Sequence, residues 1–120
     1  MPDSYSQGKT TVSPDVLITI TRLSALSVPG VSRLAQVPGG VNRLFKRGFG
    51  EGVRMEVKDN VVRADLYLIL KQDVNIREVS RNVQQQVARA LQEMVGMDIG
   101  GIEIHIEDID IEEGTEARSE

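Results

Sequence analysis

With 120 residues, no cysteine and no tryptophan, the chain has room for one domain and short tails. It has nothing from which to build a disulfide framework, a thiolate nucleophile or a cysteine-ligated zinc site. The net charge of −4 divides unevenly: residues 103–120 hold eight acids and one base, the remainder ten acids and thirteen bases, so a mildly basic body precedes a strongly acidic tail.

Hydrophobic content is 40% and charged content 27%, as in ordinary globular proteins, and the scarcity of aromatics makes the expected core aliphatic. No apolar run approaches the ~20 residues that span a bilayer. The polar N-terminus lacks a signal-peptide hydrophobic region, and there is no lipidation box. Membrane contact is therefore expected only through a partner or a surface patch.

In chain order, residues 1–8 read as a disordered tail, 9–111 as one domain and 112–120 as a disordered acidic tail. Residues 9–12 suit a short edge strand. Ser13-Pro14-Asp15 marks a helix start: a serine N-cap, proline at the first helical position and an acid at the positive dipole end. The helix is expected to reach about Ser27, with Val16, Ile20, Leu23 and Ser27 on one stripe and Leu17 and Leu26 widening it. Pro29-Gly30 stops it. Residues 31–37 alternate like a short strand, residues 41–47 suit one or two helical turns, and Gly48, Gly50 and Gly52 make a flexible connector.

The second half is more strongly patterned. Val53, Met55 and Val57 alternate with Arg54, Glu56 and Lys58. Asp59-Asn60 supplies turn residues that tolerate left-handed angles, and Val62, Ala64, Leu66, Leu68 and Leu70 then line one face, predicting a hairpin. Asn75 with Glu78 three residues on forms a helix start. Ile76, Val79, Val83, Val87, Ala90, Leu91 and Met94 keep helical spacing as far as Gly96, a natural stop. Gly100-Gly101 opens a last strand in which Ile102, Ile104 and Ile106 share a face. The phase slips at Asp108, as a β-bulge or the end of pairing would make it. A strand–helix–strand crossover implies a parallel pair. The expected architecture is α+β: two layers, a small mixed β-sheet with two main helices packed on one face.

Chemistry-bearing constellations are few. His105 is the only histidine. Glu103 and Glu107 share its strand face, a ladder that reads as exposed side chains rather than as a ligand set. Asp108 and Asp110 begin a calcium-loop spacing that is not completed. There is no nucleophile elbow and no phosphate-binding glycine motif. No catalytic residue, metal site or cofactor is expected, and the chain reads as a non-enzyme. Arg33, Arg43, Lys46, Arg47 and Arg54 fall close together, interleaved with Phe45 and Phe49, and form the candidate partner-binding basic patch. Protein, anionic lipid and nucleic acid are all chemically allowed. The sheet lacks the aromatic platforms of RNA-binding domains, which makes nucleic acid unlikely.

Several segments together resemble the bacterial alkaline-shock (envelope stress response) protein family. They are Ser13-Pro14-Asp15-Val16-Leu17, Val28-Pro29-Gly30-Val31, and Gly52-Val53-Arg54-Met55-Glu56-Val57 followed by Ala64-Asp65-Leu66-Tyr67-Leu68. Val74-Asn75-Ile76-Arg77-Glu78-Val79, Gly96 and Ile102-Glu103-Ile104-His105-Ile106 continue the likeness, which covers residues 8–109. Residues 38–52 and the acidic tail depart from it. The resemblance implies a non-enzymatic cytoplasmic interaction or scaffold protein associated with stress. Such a protein acts through partners, among them a membrane-anchored protein, and through self-assembly. An alternative it also implies is a regulator of a soluble metabolic enzyme complex in fatty-acid synthesis; a nucleic-acid-binding module is the remaining alternative.

Overall fold

A computed structural model describes residues 10–37, 49–50 and 52–111. Two helices pack on one face of a five-stranded mixed sheet, the α+β arrangement that the patterning predicts. Helix α1 is Pro14–Leu26 and α2 is Ile76–Ala90; the strands are β1 (Val31–Leu34), β2 (Phe49–Gly50), β3 (Val53–Lys58), β4 (Val61–Lys71) and β5 (Asp98–Asp110). Strand β4 organises the sheet. Strands β3 and β1 pair antiparallel with successive halves of it, β5 runs parallel to its whole length, and β2 extends the sheet beyond β3.

The local chemistry accounts for the elements. Asp59 and Asn60 both take positive φ, the two-residue turn that matches the twist of the β3–β4 hairpin. Asn75 caps α2 by accepting a hydrogen bond from the Glu78 N–H at 2.9 Å. The last turn of α2 widens into a π-helical stretch at Leu91–Val95, and Gly96 in the left-handed region closes it. The fully buried Val62, Leu66, Leu68 and Leu70 of β4 meet Val83 and Val87 of α2 and Leu17 and Ile18 of α1 in a single aliphatic core.

Four expectations are corrected. Residues 10–12 form no strand. Strand β1 is confined to Val31–Leu34, shorter than the 31–37 alternation suggests. Phe49 and Gly50, expected in a flexible connector, pair with Arg54 and Val53 as β2. In α1 the buried residues are Leu17, Ile18, Thr21 and Ala25, while Val16 and Leu23 are 46% and 60% exposed. Apolar residues lie nearly all round this helix, so spacing alone does not choose a face. The face carrying small Thr21 and Ala25 packs inward, where small side chains permit close approach. The helical turns expected over 41–47, like the tails at 1–8 and 112–120, lie outside the described residues.

Candidate functional site

The helices cover one face of the sheet; the opposite face carries the polar chemistry. Alternation along β4 puts Arg63, Asp65, Tyr67 and Ile69 there. Part of that face is closed by a small second apolar cluster of Ala35, Tyr67 and Ile69, with Val37 packed against it.

Tyr67 marks the point where the chain leaves the sheet and re-enters it. The Ala35 N–H donates to the Tyr67 carbonyl at 2.7 Å, and the Tyr67 N–H donates to the Gly52 carbonyl at 2.9 Å. The chain between β1 and β3, which includes β2, therefore leaves β4 at Ala35 and returns to it at Gly52, both opposite Tyr67. Gly52 is required at its return: φ is +72°, and a Cβ there would lie 2.6 Å from Leu34 Cβ and 2.8 Å from the Ala35 carbonyl oxygen. Of the candidate basic patch, Arg33 precedes that stretch and Arg54 follows it, whereas Arg43, Lys46 and Arg47 lie outside the described residues.

Arg33 already has an internal partner. Its Nε and Nη2 donate to the two carboxylate oxygens of Asp110, each at 3.0 Å, and Ser32 Oγ donates to the same carboxylate. Two register irregularities build this clasp. Ser32 is an extra residue in β1 between the pairs Val31–Leu70 and Arg33–Ile69. In β5, Glu107 is skipped between Ile106 and Asp108, which is the slip predicted near Asp108. The hydrogen bond from Arg33, reinforced by that from Ser32, holds the Asp110 carboxyl below the usual carboxylate range, and Asp110 in turn raises the Arg33 pKa.

Beside the clasp lies a second group. The rings of Tyr67 and His105 stack with centroids 4.6 Å apart and planes 12° from parallel. His105 Nε2 lies 3.0 Å from Asp65 Oδ1. Glu103 pairs with Asp65 in the β4–β5 register, and Arg54 is the register partner of Asp65 on the β3 side. Burial pushes the Tyr67 phenol pKa up, and the negative charge of Asp65 adds to the effect. The sequence singles out Glu103, His105 and Glu107 along one strand. The structure brings Asp65 to the first two instead, a contact legible only once β4 and β5 are known to be parallel neighbours in this register. Ser32 and Asp110 were likewise invisible as partners of Arg33, because two bulges are needed to aim them.

Comparison with known proteins agrees with this architecture. Residues 3–111 match the model of the ASP23 family, which has a cell envelope-related function. The chain belongs to the alkaline-shock family. Among similar members, the uncharacterized protein YqhY of Bacillus subtilis (strain 168) is 31% identical over 101 residues, spanning 82% of this chain and 75% of YqhY. The uncharacterized protein Spy1535 of Streptococcus pyogenes serotype M6 is 33% identical over 103 residues, spanning 85% of this chain and 79% of its own length. Among solved structures, the copper form of MamM CTD superposes with a TM-score of 0.57 at 14% identity, over 80% of this chain and 86% of that one. A nickel form of a MamM CTD variant gives 0.51 at 11% identity, over 80% and 99%. At these identities the likeness is one of fold. Among the described residues, no helix of this family member is long and apolar enough to cross a membrane.

Proposed function

We infer that this chain is a non-enzymatic, cytoplasmic interaction module of the envelope stress response, working through protein partners. The observation that carries the reading is how the segment 36–51 is anchored. The residues that flank it, Ala35 and Gly52, are both hydrogen-bonded to Tyr67 of β4. The segment holds Arg43, Lys46 and Arg47, and it is bracketed by Arg33 and Arg54. A basic segment flanked by residues fixed to one strand suits recognition of an acidic protein surface, because clustered charge of one sign steers encounter and fixes orientation. The acidic stretch that follows β5 in a second copy offers such a surface, which supports self-assembly alongside binding to a membrane-anchored partner.

The experiment is a crosslinked pull-down of the tagged chain from fractionated native cells. A membrane-anchored protein recovered together with self-crosslinks is the expected result. Recovery of a soluble metabolic enzyme complex, with nothing from the membrane fraction, would replace the scaffold reading by that of a metabolic regulator.

A further inference from the structure

The trio Asp65, Glu103 and His105 has no part in the interaction reading. One ligand atom from each lies within 4.8 Å of those of the other two. Ligands bound at about 2.1 Å on a tetrahedral zinc are about 3.4 Å apart, and His105 Nε2 and Asp65 Oδ1, at 3.0 Å, need only a small adjustment to reach that spacing. The Tyr67 ring, stacked on the imidazole, limits its rotation and keeps Nε2 turned toward the carboxylates, the orienting work that metal-bound histidines need from their surroundings. The side chains of Asp65 and His105 are 31% and 37% exposed, shielded yet open to an ion arriving from solvent.

A simple imidazole–carboxylate hydrogen bond accounts for Asp65 and His105. It does not account for Glu103, whose carboxylate is placed against Asp65 in register and has no hydrogen-bond or ion-pair partner among the described residues. Like charges directly opposite one another on neighbouring strands are unfavourable. Arg54, on the β3 side of Asp65, and Arg63 line the same hollow as the two carboxylates. A cation between the carboxylates removes the repulsion and uses all three side chains.

We propose that Asp65, Glu103 and His105 form a binding site for a divalent first-row transition metal ion, of which zinc is the representative. One imidazole nitrogen and two carboxylate oxygens suit such ions better than copper(I), which prefers sulfur. The remaining coordination positions face solvent and take water. The site sits on the two longest strands, β4 and β5, and so ties them together on the face the helices leave open.

Because His105 is the only histidine, its imidazole signals in an NMR spectrum of the labelled full chain report this site alone. Titration with zinc chloride should shift them and saturate at about one equivalent. Asp65→Asn and Glu103→Gln should each weaken binding by at least about tenfold. Glu107→Gln, an exposed carboxylate on the same strand, should leave it unchanged. The methyl region of each spectrum checks that the variant is folded. An imidazole unmoved at millimolar zinc overturns the proposal. So does a shift indifferent to Glu103→Gln and Asp65→Asn, or one that Glu107→Gln weakens as much as Glu103→Gln.

Discussion

At the scale of single residues, some polar groups are partnered and others, among them Thr21, are not. Thr21 is fully buried in α1, and its hydroxyl has no hydrogen-bond partner among the described residues. A buried hydroxyl left unmade costs about 1–3 kcal/mol, and an apolar group of the same shape avoids that cost. Thr21→Val should therefore raise unfolding stability by about 1 kcal/mol in urea titration; a loss would show that the hydroxyl is satisfied. Asp110 is the opposite case. Its pKa is lowered in the folded state by hydrogen bonds from Arg33 and Ser32. The stability it contributes is complete above the ordinary aspartate range and is lost as pH falls through the lowered value. Asp110→Asn should flatten the acid limb of a plot of melting temperature against pH, while the wild type declines below pH ~4. Identical acid limbs would mean that the clasp does not form in solution.

At the scale of elements, the β3–β4 hairpin, α2 and the parallel β5 were legible because their signals agree. Alternation in Val53, Met55 and Val57, the Asp59-Asn60 turn, the Asn75 cap and the helical spacing from Val79 to Leu91 each point to one answer. Helix α1 was legible as a helix but not in its orientation. With Val16, Leu17, Ile18, Ile20, Leu23 and Leu26 distributed round it, the choice of inner face is made by tertiary packing, which spacing does not encode. The bulges at Ser32 and Glu107, and with them the Arg33–Asp110 and Asp65–His105 contacts, depend on strand register. Only the phase slip near Asp108 foreshadowed either. The corrected face of α1 is testable directly. Leu17→Ala should lower stability by about 2–5 kcal/mol, whereas Leu23→Ala should stay within about 0.5 kcal/mol of wild type. Equal losses in denaturant titration would restore the Val16–Leu23 stripe to the core.

At the scale of the whole molecule, one sheet serves two purposes. Its inner face, with Leu66, Leu68 and Leu70, packs against Val83 and Val87 of α2 to form the core. Its outer face carries charged groups: the Arg33–Asp110 clasp and the Asp65–Glu103–His105 group. On the proposed reading, recognition belongs to the basic segment, while the aliphatic interior holds the fold. The most direct test of that account compares the wild type with an Arg43→Glu, Lys46→Glu, Arg47→Glu variant in the crosslinked pull-down. Both proteins are first shown to unfold at the same urea concentration. The account predicts that the variant loses the membrane-anchored partner and the self-crosslinks together; undiminished recovery of both from a folded variant would contradict it.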